Sequence, residues 1–283
     1  QEPAAAGACA VARRGAAEEG APDPGGRSSE EELQAERAEG VRAALQEEVS
    51  TAFGAGAACV HLVGSHLYGA ALPLADVDLL VELSEGAQRR LMSLTDTSLR
   101  HEDRTRLLAT RALMRLRQQL DAGDAASWGS SYVALDARRP ILRLQRAGVP
   151  VDVSFDQSLA ALCKSALLAE CGARDARPLL LARLVRAWAQ ARGLSGQRRG
   201  YLSGYAWCLL AVFFCQLRGL LGALAPPSRL ELSAFGPGAE CAPRPPAAPL
   251  RLGGGAAALR AARALLPGFF AFLARDFDWA TEV

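Results

Sequence analysis

The chain has 283 residues, of which 50% are hydrophobic, and its formal net charge is +2. This length can bury a sizeable core and is enough for two domains of ordinary size. A near-neutral charge neither demands nor excludes a polyanionic partner, because a local basic patch can bind phosphate. No run reaches the roughly 18 apolar residues that a membrane span needs, so we expect no membrane partner.

Seven cysteines are spread along the chain without a C-x-x-C pair. Neither a zinc site nor a disulfide framework is indicated, and the pattern is typical of a reducing compartment. The first residue is glutamine, and no signal-peptide pattern follows it. The localisation therefore stays open, with the cytoplasm or nucleus favoured over an organelle, and the oligomeric state is not indicated.

The N-terminal segment, residues 1–28, consists of Ala, Gly, Pro and charged residues with almost no large apolar side chain. Such a composition cannot offset the entropy of ordering, so a disordered low-complexity tail is predicted. Ser28 and Ser29 then precede three glutamates, which predicts a helix from residue 29 to about Phe53. That helix either joins the domain that follows it or packs on the helical domain further along the chain.

Residues 29–158 alternate between strand-like and helix-like stretches. Short apolar runs bounded by turn residues predict strands, and the Leu- and Arg-rich stretch 85–120 has helical spacing. The predicted strands are residues 57–63, 77–83, 132–135, 141–144 and 149–155. A mixed sheet with helices, an α+β domain, is therefore expected.

From residue 159 to residue 283 the pattern is helical. A Pro/Gly-rich loop at 225–255 interrupts it. The predicted helices are residues 179–191, 201–221 and 259–274. We expect a helical domain over 159–283, and a ligand would bind in the cleft between it and the α+β domain.

The most informative residues are three aspartates in apolar surroundings. Asp76 and Asp78 are two residues apart, and side chains two apart on a strand share one face. Asp152 lies in another apolar strand segment, and the three acids converge if that strand pairs beside the first. Like charges beside a buried sheet are costly unless a cation compensates them, and Mg²⁺ prefers oxygen ligands. Alone, an Asp-x-Asp is more often part of an edge strand with one solvated face.

Gly64 and Ser65 follow the first predicted strand and strengthen the functional interpretation. A small turn with free backbone N–H groups and a hydroxyl is suited to binding phosphate. Combined with the three acids, it predicts a metal-dependent site for a phosphate compound. Two metal ions there could activate a hydroxyl and neutralise a leaving phosphate.

Several separated motifs then resemble one known family. They are Gly64-Ser65 with Gly69, Pro73 and Asp76-Val77-Asp78; Pro150-Val151-Asp152-Val153-Ser154-Phe155; Arg186-Ala187-Trp188-Ala189; Tyr201-Leu202-Ser203-Gly204-Tyr205; and Asp276-Phe277-Asp278-Trp279. The chain resembles the polymerase-β-type nucleotidyltransferases over residues 40–283, and more narrowly the non-canonical poly(A) polymerases and terminal uridylyltransferases. The resemblance implies an α+β nucleotidyltransferase palm followed by a helical central and poly(A)-polymerase-associated domain.

The resemblance also implies an activity and residue roles. The reaction would be template-independent transfer of a uridylyl or adenylyl group from UTP or ATP to an RNA 3′-hydroxyl, with release of pyrophosphate. Mg²⁺ or Mn²⁺ ions would be bound by the catalytic residues Asp76, Asp78 and Asp152. The implied nucleotide-binding residues, among which the tyrosine would stack on the incoming base, are Gly64, Ser65, Arg186, Ser203 and Tyr205.

The chain departs from the family pattern mainly in the nucleotide pocket. Ala75 and Gly204 stand where the family has serines, and Gln190 stands where it has a lysine. An asparagine expected near Cys163 is absent, and the family's base-recognition segment would lie beyond Val283. The catalytic acids are intact, while the nucleotide pocket is altered and we expect it to be truncated.

These departures leave alternatives to an active RNA-tailing enzyme. One is a catalytically impaired relative that binds RNA or a protein, although retention of three costly acids argues against it. A weaker one is a transferase that modifies a small molecule or a protein. The sequence does not choose between UTP and ATP, and it does not identify protein partners.

Overall fold

The computed structural model describes residues 24–92, 99–123, 128–135, 139–156, 159–196, 199–224, 252 and 255–280. For residues 24–31, 130 and 131 it describes the backbone only. The predicted disordered tail up to residue 23 lies outside these ranges. The predicted loop at 225–255 also lies outside them, apart from residues 252 and 255.

The described residues form eight helices and five strands. The helices are α1 (Pro24–Phe53), α2 (Gly64–Leu67), α3 (Glu85–Leu91), α4 (His101–Ala122), α5 (Ala160–Arg174), α6 (Ala176–Ala191), α7 (Gly204–Leu217) and α8 (Gly255–Arg275). The strands are β1 (Ala58–Val63), β2 (Val77–Leu83), β3 (Gly129–Ala134), β4 (Ile141–Arg146) and β5 (Val149–Phe155).

The five described strands form one mixed sheet in the order β1-β2-β5-β4-β3. β2 and β5 run parallel, and the other neighbouring pairs are antiparallel. Residues on one face, such as Val60, Leu79 and Val153, are fully buried in a core shared with α1 and α4. Because side chains alternate along a strand, Asp78 and Asp152 project from the opposite face. The α+β palm expected from the sequence is confirmed.

A two-residue turn, Ala147-Gly148, joins β4 to β5. Both residues have positive φ, 47° and 77° respectively, as in tight hairpin turns whose twist matches that of the strands. With this turn, Arg143 of β4 lies opposite Asp152 of β5. The sequence predicts the break between the two strands at these same residues.

Helices α5 to α8 contribute to a second hydrophobic core, in which Leu181 and Phe269 are fully buried. Two residues from the loop before β2, Tyr68 and Ala70, belong to this second core. Leu67, the residue before Tyr68, is buried in the first core instead. Between Leu67 and Tyr68 the chain therefore passes from the first core to the second within one peptide bond.

Two predicted helix starts differ from the structure. α1 begins at Pro24, so the predicted cap at Ser28 and Ser29 lies inside the helix, and proline is tolerated in a first helical turn. α6 begins directly after Asp175, earlier than predicted, because that side chain accepts a 2.8 Å hydrogen bond from the N–H of Arg177.

Two other predicted helices are shorter or divided. The helix predicted over 201–221 is α7, which begins at Gly204 because Ser203 Oγ accepts a 3.1 Å hydrogen bond from the N–H of Ala206. The helical stretch predicted over 85–120 is divided into α3 and α4, with residues 93–98 outside the described ranges.

Helix α8 is long and apolar enough to cross a membrane by length and composition alone, with a mean hydropathy of 1.4 over its most apolar window. In the structure 17% of that window is buried, and Phe269 and Leu273 pack in the second core. One such helix within the described ranges is weak support for a membrane span, because core helices pass the same test. The expected absence of a membrane partner stays a prediction.

Candidate active site

Asp78 of β2 and Asp152 of β5 are direct neighbours in the sheet. Their parallel strands pair in register at these residues, so both side chains project from the same face. Burial, together with the negative charges of Asp152 and Asp76, raises the pKa of Asp78 to about 7. The pair is therefore a concentration of like charge, which a bound cation would relieve.

Asp76, the third predicted acid, lies in the loop before β2 and is exposed. The expectation that both acids of the Asp-x-Asp motif lie on one strand is therefore wrong. The negative charge of Asp76 still acts on the pair. Burial is the main cause of the raised pKa of Asp152, and the charge of Asp76 raises that pKa further. The loop is fastened by His66, whose Nε2 lies 3.3 Å from the carbonyl oxygen of Ala75. The three acids come together, two from strands and one from a loop.

β4 supplies a cation that the sequence analysis missed. Arg143 lies opposite Asp152, with its Nε 3.3 Å from Oδ1, an ion-pair distance without hydrogen-bond geometry. Burial raises the pKa of Asp152, and the charge of Arg143 opposes that shift. Nη1 of Arg143 donates a 2.8 Å hydrogen bond to the hydroxyl of Tyr132 on β3. Arg143 stands between Leu142 and Leu144, and this alternation was the available signal that it shares a face with the acid.

Gly64 begins α2 directly after β1 and lies against Asp78. Its φ is 69°, a left-handed conformation that favours glycine, and a methyl group added there would collide with the Asp78 carboxylate. Its N–H donates a 2.8 Å hydrogen bond to Ser165 Oγ, so the prediction of a free N–H is wrong at this residue. Ser65 is buried, and its binding of a triphosphate stays a prediction.

Arg186 of α6 reaches across to the acids from the helical side. Its Nη1 donates a 2.5 Å hydrogen bond to the carbonyl oxygen of Ala70, and its charge counters the raised pKa of Asp78. A Cβ atom at Gly204 would lie only 3.1 Å from Nε of Arg186. Gly204, interpreted from the sequence as the loss of a hydroxyl, therefore also makes room for the guanidinium.

Ser203 and Tyr205 lie at the start of α7. Ser203 Oγ caps this helix, a structural role that the sequence analysis did not assign. The ring of Tyr205 is partly exposed, and the ammonium of Lys164 lies 5.6 Å from the ring centroid. Lys164 follows Cys163, near the expected asparagine. The ring predicted to stack on a base is therefore accompanied by a cation.

Within the described parts of the chain, no three His, Cys, Asp or Glu side chains are arranged to hold a metal ion by themselves. The donor chemistry still fits a hard divalent cation, because Asp78 and Asp152 offer adjacent carboxylates. Mg²⁺ in nucleotide enzymes usually takes one or two carboxylates and completes its shell with phosphate oxygens and water. The acids therefore fit a cation that shares its ligands with a nucleotide, and not a closed structural metal site.

Adjacent aspartates on parallel strands, a glycine-serine turn against one of them and a facing helical layer define a polymerase-β-type nucleotidyltransferase palm. Residues 27–170 match the family described as "Poly(A) RNA polymerase, mitochondrial-like, central palm domain". Since the match covers just over half of the sequence, the chain belongs to this family, a group of non-canonical poly(A) polymerases and terminal uridylyltransferases.

Two relatives are similar over part of the chain. The Speckle targeted PIP5K1A-regulated poly(A) polymerases of Homo sapiens and Ailuropoda melanoleuca are each 42% identical to the chain over 84 residues. That segment is 29% of this chain but 9% of either relative. The chain therefore matches only a small part of these two proteins.

Solved structures share the fold at low sequence identity. Terminal uridylyl transferase 4 from Trypanosoma brucei with bound dUTP has a TM-score of 0.63 and 20% identity, covering 85% of this chain and 69% of that one. The GLD-2 – GLD-3 non-canonical poly(A) polymerase complex has a TM-score of 0.52 and 22% identity, covering 65% and 53%. At these identities the comparison establishes the fold alone.

Proposed function

We propose that the chain is a template-independent RNA 3′-terminal nucleotidyltransferase, which transfers a uridylyl or adenylyl group from UTP or ATP to an RNA 3′-hydroxyl. The observation that carries this proposal is the in-register pairing of Asp78 and Asp152 beside a glycine that touches the first of them. Membership of a family of poly(A) polymerases and terminal uridylyltransferases supports the class of reaction.

Asp76, Asp78 and Asp152 are the proposed ligands of Mg²⁺ or Mn²⁺. A cation bound there would supply charge neutralisation for the leaving pyrophosphate and would favour ionisation of the attacking hydroxyl. The acids concentrate negative charge at one point on a face of the sheet, and Arg143 keeps one side of the Asp152 carboxylate engaged. That engagement orients the carboxylate, so less reorganisation is needed when the reactants meet.

The proposed nucleotide site lies on the helical side of the acids. Arg186 is held by the carbonyl of Ala70, so its charge is already in place to stabilise a departing anion. Tyr205 offers a partly exposed ring for stacking on the base. Three further residues complete the proposed site: Gly64, Ser65 and Ser203.

The comparisons with relatives do not decide whether the donor is UTP or ATP. Terminal uridylyl transferase 4 has been solved with UTP, GTP, CTP and dUTP. The relatives of higher identity are named poly(A) polymerases. Both groups support a nucleoside triphosphate as donor, and neither distinguishes UTP from ATP for this chain.

A tailing assay tests the proposal. The chain is incubated with a labelled short single-stranded RNA, Mg²⁺ or Mn²⁺, and each ribonucleoside triphosphate separately. We expect a ladder of extended RNA with UTP or ATP, which is lost in Asp152→Asn. Asp103→Asn, which makes the same change at an exposed acid of α4, is the matched control and should keep the ladder. Unchanged extension by Asp152→Asn would refute the role of the acids.

The alternative of a catalytically impaired relative predicts a different result from the same assay. Folded protein would then bind the RNA without extending it under any condition, and the exposed Gln190 would be the first residue to replace by lysine. Gly204 is a weaker reason for inactivity, because Arg186 occupies the space beside it.

A further inference from the structure

We propose that the exposed face of β3 and β4 beside Asp152 is the acceptor subsite for RNA. In this subsite a base near the 3′ end stacks on Tyr132, and the adjoining phosphate binds Arg143. The inference rests on the proposed function and extends it, because it assigns the acceptor to residues that neither the acids nor the nucleotide pocket include. We call the face formed by Tyr132 and Arg143 the acceptor face.

The register of the sheet places these side chains in one row with the acids. Tyr132 pairs with Arg143, Arg143 pairs with Asp152, and Asp152 pairs with Asp78. Directly paired residues project from the same side, and neighbouring strands are about 5 Å apart. Tyr132 therefore stands about 10 Å along the row from Asp152, within reach of the penultimate nucleotide of a strand whose terminal hydroxyl lies at the acids.

The acceptor face lies on the other side of the acid pair from the nucleotide site. β1, the Gly64 turn and Arg186 contact Asp78 or the loop before it, whereas β4 and β3 continue the sheet beyond Asp152. In an in-line transfer the attacking hydroxyl of the acceptor and the leaving pyrophosphate of the donor lie on opposite sides of the α-phosphate. This division of the sheet therefore matches the two substrates of a transfer reaction.

An open cleft of about 300 Å³ begins at the acids and runs over the acceptor face. It is lined by Asp76, Tyr132, Arg143, Leu144, Gln145, Pro150 and Asp152. The Tyr132 ring is 50% exposed and the Arg143 side chain 38% exposed. Neither belongs to a hydrophobic core, so both are available to a ligand in this cleft.

The chemistry of the pair fits single-stranded RNA. Bases of single strands stack on exposed aromatic rings, and such stacking tolerates different sequences. A guanidinium has five N–H donors and binds phosphate in a forked geometry. Arg143 can therefore contact a phosphate while it keeps its bond to the Tyr132 hydroxyl, which holds the ring and the cation together.

RNA binding is measured without nucleotide transfer. This measurement distinguishes a direct contact of Tyr132 and Arg143 with RNA from a purely structural role of these residues. A labelled oligoadenylate is titrated with the chain and its variants in fluorescence anisotropy. We expect Tyr132→Ala to weaken binding about tenfold, in the range that one stacked base contributes. Tyr132→Phe, which keeps the ring, should stay within about twofold of wild type.

The arginine has its own control. Arg143→Ala should weaken binding and make it less dependent on salt, because one phosphate contact is lost. Arg89→Ala removes the same charge from an exposed ion pair on α3 and should leave binding unchanged. An oligoadenylate that ends in a 3′-phosphate should bind wild type more weakly than one with a free hydroxyl, because its terminal charge meets the acids.

Two results would overturn the inference. One is equal RNA binding by wild type and Tyr132→Ala with unchanged thermal stability. The other is a Tyr132→Ala variant that extends RNA with an unchanged KM for RNA, in which case the proposed function stands and the acceptor face does not. If wild type binds RNA through Tyr132 but adds no nucleotide, the proposed function fails, and with it the acceptor role, and the face formed by Tyr132 and Arg143 stands as an RNA-binding surface. Transfer to a protein instead, unaffected by Tyr132→Ala, contradicts the inference.

Discussion

The two sides of the acid pair are built differently. On the sheet side, Asp78 and Asp152 are placed by backbone pairing of β2 with β5, so their spacing depends on no single side chain. On the helical side, Arg186 is placed by side-chain contacts with the carbonyl of Ala70 and the open space at Gly204. Substitutions of the aspartates should therefore change the charge of the site without moving its backbone. Substitutions on the helical side should instead move the guanidinium of Arg186.

The largest effect is expected for Asp78→Asn, which should abolish nucleotide transfer and yet stabilise the fold. Because the pKa of Asp78 is raised to about 7, the folded state binds its proton more tightly than the unfolded state, and ionisation costs stability as pH rises towards 7. Above that pH, without divalent cations, differential scanning fluorimetry should give a Tm higher by at least about 2 °C, the effect of ~1 kcal/mol. A lower Tm for Asp78→Asn than for wild type would contradict the conclusion that like charges are concentrated at the three acids.

The next prediction compares alanine variants of two glycines, Gly64 and Gly56, to distinguish backbone strain from the contact with Asp78. Gly64 and Gly56 have nearly equal φ values, 69° and 70°, but only Gly64 has a neighbour within 4 Å of an added Cβ atom. Both alanine variants should lose about 1–2 kcal/mol of unfolding free energy, measured by urea denaturation, for the left-handed conformation. Gly64→Ala should lose more and should also lose activity, whereas Gly56→Ala should keep it. Equal stability and activity of the two variants would contradict the proposed contact between residue 64 and the Asp78 carboxylate.

On the helical side, Gly204→Ser should raise KM for the nucleotide, because its Cβ would press on Arg186. We expect about a fivefold increase, equivalent to a coupling of ~1 kcal/mol, and partial recovery when Arg186→Lys is added. The measurement is steady-state kinetics of all four members of the double-mutant cycle. Gly222→Ser, at a position with open space around it, is the matched control. Strictly additive effects would mean that the two positions are independent.

The smallest expected effect concerns a buried pair on the same face of the sheet but away from the acids. His61 Nε2 lies 3.1 Å from Glu82 Oε2. Burial lowers the pKa of His61, but hydrogen bonds and charges from Cys59 and Glu82 outweigh it and raise the pKa to about 9. The folded-state pKa exceeds the ordinary 6.5, so this stability is complete below pH 6.5 and is lost as pH rises through about 9. Tm should fall by about 2 °C across this window in wild type, and less in His61→Gln.

The sequence predicted the sheet side well and the helical side less well, for a physical reason. Strand periodicity identified β2 and β5 with their observed bounds, because alternation is a local property. It placed Asp152 beside the Asp-x-Asp motif only on the condition that these two strands pair, which they do. The tight turn at Ala147-Gly148 pairs β4 with β5 and brings Arg143 to the acid, but the sequence analysis did not follow that register to Arg143.

On the helical side, side-chain contacts between distant residues decide the geometry. The bond from the N–H of Gly64 to Ser165 and the fit of Arg186 against Gly204 join residues far apart in sequence. The sequence analysis treated Gly204 as a loss, since a missing hydroxyl is visible in the sequence whereas a space filled from another helix is not. The resemblance named candidate residues of the site, and only the structure gives their contacts.

The change of core between Leu67 and Tyr68 has a consequence for unfolding. Leu67 is buried with the sheet, and its neighbour Tyr68 is buried with the helices. If the helical layer melts, Tyr68 and Ala70 lose their cover, and the loop that ends at Asp76 is released at the same moment. Melting of the helical layer should therefore separate Asp76 from the other two acids, while strand pairing still holds Asp78 beside Asp152.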